Sequence, residues 1–155
     1  MKTNWKKLLI CLAVPLAVGG LSSLLSGSMS SYQTLNQPPL SPPGWIFPIV
    51  WSVLYLLMGY ASYRVLISGA DPTDIRKALR FYGIQLFLNF LWPILFFGFQ
   101  LYFLSFLLLL VLWVFIYLTM YRFGAVDDIA ENLLIPYLLW VTFAGYLNLG
   151  VALLN

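Results

Sequence analysis

The eight basic and five acidic side chains of this 155-residue chain fall in three short groups, and nearly everything between them is apolar. Lys2, Lys6 and Lys7 form a head, a second group lies within residues 64–80, and a third within 122–131. The intervening runs, at about residues 8–27, 45–67, 78–97, 101–121 and 133–154, each suffice for a helix across the hydrocarbon core, which takes about 20 residues. Lipid offers the backbone no hydrogen-bond partner, so runs of this length must satisfy their own N–H and C=O groups as helices. The expected fold class is an all-α membrane protein, one domain over residues 1–155 built as a five-transmembrane-helix bundle with a proline-rich first loop as lid. A charged fraction of 8% is far below that of a soluble domain, roughly 25%.

Threading five spans puts the head and both charged connections on one side of the membrane, and leaves the opposite side without a charged side chain. The positive-inside rule then places the N-terminus inside and the proline-rich loop and C-terminus outside, as expected for a bacterial plasma membrane. A secretory signal peptide is the rival reading of the head and first run, with small residues at Ser26-Gly27-Ser28. Twenty uncharged residues without an Ala-x-Ala site favour a span. Gly19, Ser22, Ser23 and Ser26 give that helix a small-residue face for close packing. Thr73 or Asp74 is the expected N-cap of the third helix. Gly98-Phe99-Gln100 reads as a tight turn, and the leucine-rich fourth span as the one most exposed to lipid. The net charge of +3 follows from membrane orientation and does not call for nucleic acid. With no histidine and only Cys11, the chain has no intrachain disulfide and no His/Cys zinc site or His-ligated haem, so no metal site is expected.

Residues 32–63 organise the rest. Pro38, Pro39, Pro42 and Pro43 fix φ and remove N–H groups, which predicts a stiff, partly extended loop feeding a helix near Gly44. Pro48 falls in its first turn, where a missing N–H costs least. Trp51 and Tyr55 then share a helical face with Ser62. On the third helix Gln85, Asn89, Trp92 and Phe96 form a second stripe, and on the fifth Tyr137, Trp140, Ala144 and Asn148 a third. No span carries a charge at mid-membrane, which disfavours ion-coupled transport. The asparagines should face the bundle interior. Counted along the helices, these stripes meet in the half of the membrane beneath the proline loop. Two readings fit: an aromatic-walled ligand pocket, or interhelical packing with an interfacial aromatic belt.

At these residues the chain resembles the TspO/MBR family of translocator proteins, formerly peripheral benzodiazepine receptors. The resemblance rests on Pro42-Pro43-Gly44-Trp45, Phe47-Pro48, Val50-Trp51, Leu54-Tyr55 and Met58-Gly59. Gln85-Leu86, Leu88-Asn89, Trp92, Pro136-Tyr137, Trp140, Phe143-Ala144 and Leu147-Asn148 extend it over nearly the whole chain. It implies a five-helix bundle packed in the order first, second, fifth, fourth, third, usually homodimeric, with a pocket beneath the first loop. Implied ligands are porphyrins, above all protoporphyrin IX, and isoquinoline carboxamides and benzodiazepines. Some bacterial members degrade protoporphyrin IX in light with tryptophans matching Trp51 and Trp140, which makes these two the catalytic candidates. The implied ligand site is Tyr32, Pro42, Phe47, Trp51, Tyr55, Gln85, Asn89, Trp92, Trp140, Phe143, Ala144 and Asn148. No cofactor is implied beyond the porphyrin as ligand or substrate. Leu149 stands where the animal sterol motif has Tyr, and no basic residue follows. Passive translocation of porphyrins and a ligand-sensing scaffold are the alternatives to a binding or degrading protein.

Overall fold

In the computed structural model, which describes residues 3–27 and 30–155, the chain is a bundle of helices, with no strand among the described residues. Lys2 of the basic head and Ser28 of the small-residue triplet lie outside the described residues, and nothing is described of the side chains of 30 and 31. Among the described residues, five helical segments are long and apolar enough to cross a membrane: Trp5–Ser26, Ile46–Leu66, Pro72–Gly98, Tyr102–Gly124 and Asp128–Leu154. The first, second and fourth are single helices, α1 (Trp5–Ser26), α3 (Ile46–Leu66) and α5 (Tyr102–Gly124). The third is α4 (Pro72–Pro93) continued by a π-helical turn at Ile94–Gly98, and the fifth is α6 (Asp128–Leu133) followed by α7 (Ile135–Leu154).

Local chemistry sets most of these boundaries. Asp71 caps α4 by accepting from the Thr73 N–H at 2.8 Å, and Pro72 occupies the first helical position. The cap is therefore Asp71 rather than Thr73 or Asp74, so the helix starts at 72, two or three residues earlier than expected and ahead of the apolar run that begins near 78. Aspartate before an N1 proline satisfies the free N–H groups while proline presets φ. Asp127 likewise caps α6. The second charged connection is thus mostly helical and shrinks to residues 125–127. Pro136, lacking an N–H and clashing with the preceding turn, marks the break between α6 and α7 at Leu134. The proline-rich segment also begins as a helix, α2 (Ser30–Thr34), so Tyr32 rides on a helical turn rather than on extended chain.

The neighbour contacts run in a ring: α1 on α3, α3 on α6, α6 and α7 on α5, α5 on α4, and α4 back on α1. α5 is wedged between α4 and α7 and buries Leu109, Leu112, Ile116 and Phe123. The least buried span is α1, with 11% of its most apolar window inside the protein against 33% for α5. The leucine-rich helix is thus not the most lipid-exposed one. Leucine content reports hydrophobicity, whereas exposure depends on how many neighbours a helix has.

One end of the bundle holds the charges. Arg64 at the end of α3 pairs with Asp127 at 2.6 Å, and the Asn4 N–H donates to the Tyr63 hydroxyl at 2.9 Å. The other end gathers the proline loop, the turn after the π-helical segment and the C-terminus. There the Asn155 amide donates to the Asn36 carbonyl at 2.9 Å, and Tyr146 donates to the Pro39 carbonyl at 2.6 Å. Leu40 at the loop tip adopts φ 69°, a left-handed conformation that glycine usually fills, in the turn that follows Pro39.

Candidate functional site

Beneath the loop, α3 and α7 stand apart, and between them lies a cavity of about 320 Å³. α3 supplies Phe47, Trp51 and Tyr55 to its wall, because positions 47, 51 and 55 repeat every four residues on one helical face. α7 supplies Trp140, Ala144 and Asn148 by the same spacing, and Val151 one turn further at a step of three. α4 and the π-helical turn add Trp92, Phe96 and Phe97. The wider π-helical turn brings both consecutive phenylalanines onto Trp92, Phe96 stacked at 5.1 Å between ring centres and Phe97 edge-on at 5.9 Å. Phe47 meets Trp140 edge-on at 5.9 Å and Trp51 meets Tyr137 at 6.2 Å, so the aromatic rings close the space that the helix backbones leave.

The lid is fastened from several sides. Tyr32 packs edge-on to Phe47 at 5.2 Å and donates to the Pro42 carbonyl at 3.2 Å. Burial pushes the Tyr32 hydroxyl above the usual phenol range, so it stays a protonated donor throughout the physiological pH range. The Gln37 amide donates to the Tyr32 carbonyl at 2.7 Å. Pro38 sits on Gly150 of α7, where a β-carbon would come within 2.5 Å of the proline ring.

The expected polar residues divide into two networks. Tyr55 donates to Asn89 Oδ1 at 2.8 Å, Asn89 Nδ2 donates to the Tyr137 hydroxyl at 2.7 Å, and Tyr137 donates to Gln85 Oε1 at 2.7 Å. Trp92 Nε1 donates to Asn148 Oδ1 at 2.9 Å, and Asn148 Nδ2 donates to the Tyr102 carbonyl at 2.9 Å. Both networks join α4 directly to α7, and the first also ties in α3 through Tyr55 and the second α5 through Tyr102. Gln85 and Asn89 lie behind Tyr55 rather than in the cavity wall, and their amides bond within the protein, apart from Gln85 Nε2, which is buried without a partner. Phe143 is also outside the wall, packed on Trp140 and Tyr146, and Pro42 acts through its carbonyl to Tyr32. The structure brings Tyr32, Phe47, Trp51, Tyr55, Trp92, Trp140, Ala144 and Asn148 together around one space.

Trp140 is distinctive among them: its Nε1 is buried with no hydrogen-bond partner. An unmet buried donor costs about 1–3 kcal/mol. The wall contributed by α1, including Gly19, Gly20 and Ser23, was not foreseen in the sequence. Its only sequence signal is the Gly19-Gly20 pair followed by serines, which reads equally as a packing face. The site is apolar, aromatic and without a charged side chain in its wall, suited to holding a flat conjugated molecule.

Comparison with known proteins agrees with this architecture. Residues 11–154 match the TspO/MBR family. The tryptophan-rich protein TspO of Chlorobaculum tepidum is 40% identical over 150 residues, covering 96% of this chain and 95% of that protein. The tryptophan-rich sensory protein of Cereibacter sphaeroides is 37% identical over 155 residues, 100% of this chain and 95% of its own. The translocator protein of Bos taurus is 38% identical over 118 residues, 76% of this chain and 70% of its own.

Proposed function

The chain belongs to the TspO/MBR family, and from that premise we propose that it is an integral membrane receptor for porphyrins, protoporphyrin IX foremost, and for small apolar ligands of the isoquinoline carboxamide and benzodiazepine kind. The observation that carries this reading is the lidded cavity walled by Trp51, Tyr55, Trp92, Trp140 and Phe47 with an unpartnered indole N–H at Trp140. A conjugated macrocycle gains stacking on the rings, and an acceptor group at its edge meets the Trp140 donor. The protein resides in a bacterial plasma membrane as a homodimer, with its charged end inside and the lid outside. In light, an excited porphyrin held against Trp51 and Trp140 is placed for oxidation by dioxygen, with the pocket supplying orientation.

Purified protein titrated with protoporphyrin IX in the dark, followed by its Soret band, tests the binding. Saturable binding is expected, weakened at least about tenfold in Trp140→Phe, which keeps an aromatic ring but loses the donor and part of the stacking surface; one hydrogen bond of roughly 1.4 kcal/mol alone accounts for a factor of ten. Non-saturable partitioning, identical in the variant, would count against the site. Illumination then tests the degradation: loss of the band beyond free-porphyrin bleaching, absent in Trp51→Phe with Trp140→Phe, is expected. Bleaching at the free rate would make the protein a binder only.

A further inference from the structure

The cavity has one thin wall. Six of its lining residues are exposed, and all come from two places: Leu16, Gly20, Ser23 and Gly27 in or just after α1, and Pro48 and Ser52 in the first turns of α3. Lining residues from α4, the π-helical turn, α7 and the lid are buried or half-buried. The two helices touch at their charged ends, where a β-carbon on Gly59 would meet the Cys11 carbonyl oxygen at 2.6 Å. They remain close at Gly19, which lies against the Tyr55 ring. One residue later a β-carbon on Gly20 would meet nothing within 4 Å.

The separation has a visible cause. Ser22 of α1 donates to the Phe90 carbonyl of α4 at 2.7 Å, and the Ser26 backbone lies against Gly98 at the end of the π-helical turn. The last two turns of α1 are thus drawn toward α4 while α3 continues on its own course. The gap is rimmed by small residues, and the Ser52 hydroxyl is turned onto its own helix, donating to the Pro48 carbonyl at 2.7 Å. Turned inward in this way, that hydroxyl suits a rim facing hydrocarbon. The route through the lid is closed by contrast, since Asn36, Pro38 and Pro39 are all held against α7 or the C-terminal residue.

Resting on the porphyrin-binding reading above, we infer that the ligand reaches the cavity sideways from the bilayer, through the gap between α1 and α3, and not from water through the lid. The class of ligand follows: flat, apolar molecules that first dissolve in the membrane. A molecule larger than the cavity can leave its edge in the gap, in contact with lipid.

Stopped-flow tryptophan quenching by protoporphyrin IX, with the full chain in lipid nanodiscs, tests the route. Gly20→Phe with Ser23→Phe fills the α1 rim, and Ser52→Phe fills the opposite rim. Both variants are expected to slow association at least about tenfold and to slow dissociation as well, because both directions use one passage. A merely damaged site would instead release porphyrin faster. Unchanged association in both rim variants, with faster association in the lid variant Tyr146→Phe, would overturn the lateral route. Absence of saturable quenching in the unaltered protein would overturn the binding reading itself and the route with it.

Discussion

Asn89 shows how a single buried amide ties this bundle together. It accepts from Tyr55 and donates to Tyr137, so three helices share one side chain. Asn148 does the same work nearer the lid, accepting from the Trp92 indole at 2.9 Å and from Ser105 at 3.2 Å. In hydrocarbon such groups have no water to fall back on, which is why both are nearly fully buried and paired. Gly150 is the residue on which the lid rests. In Gly150→Ala the helix gains roughly 0.5–1 kcal/mol of intrinsic propensity. The new methyl would nevertheless lie 2.5 Å from the Pro38 ring, and the lid must lift. The expected outcome is weaker protoporphyrin IX binding, about fivefold by titration, without loss of thermal stability. Equal affinity would show that the lid does not need its seat on α7.

At the level of elements, prolines and glycines determine where helices end and how closely they approach. Pro72 starts α4, Pro93 precedes its π-helical turn, and Pro136 separates α6 from α7. Gly59 sets the α1–α3 crossing, since any side chain there meets the backbone of Cys11 and Leu12. Backbone cannot swing aside as a side chain can, so Gly59→Ala should cost about 1–3 kcal/mol as an overpacked contact. A lower melting temperature in detergent checks it. Gly145→Ala is the comparison, because its β-carbon would sit an unstrained 3.8 Å from Leu109. That variant should melt no lower than the parent. Equal melting of both variants would remove Gly59 from the crossing.

Over the whole molecule, the ring of helices is closed at the charged end and open near the lid. The closing contact is α3 on α6, where Asp127 both caps α6 and pairs with Arg64. Asp127→Ala removes the cap and the pair, and a loss of about 1–2 kcal/mol is expected. Asp127→Asn keeps a capping side chain and should lose less. Denaturation of the two variants in the same detergent checks the order, and equal losses would assign the contact to charge alone. With that end held, α3 and α7 diverge toward the lid, and the aromatic rings between them enclose the cavity instead of a solid core.

The membrane class, the five spans, the charged end and the three aromatic stripes were all legible in the sequence. Each depends on local quantities: the length of an apolar run, the position of charges, and a repeat of three or four residues along one helix. The spacing of Trp51 with Tyr55, and of Trp140 with Ala144 and Asn148, placed those side chains on common faces before any neighbour was known. Which groups satisfy one another was decided only by the tertiary structure. Asn89 and Gln85 hold Tyr55 and Tyr137 behind the wall, whereas Trp140 keeps a free N–H. The same holds for α1, whose small residues read as a packing face but divide their roles. Of that face Gly19, Ser22 and Ser26 pack, while Ser23, with the neighbouring Gly20, rims an opening. The reason is physical: a helix repeat fixes the direction of a side chain about its own axis, but the neighbour it meets depends on how distant helices tilt and settle against each other.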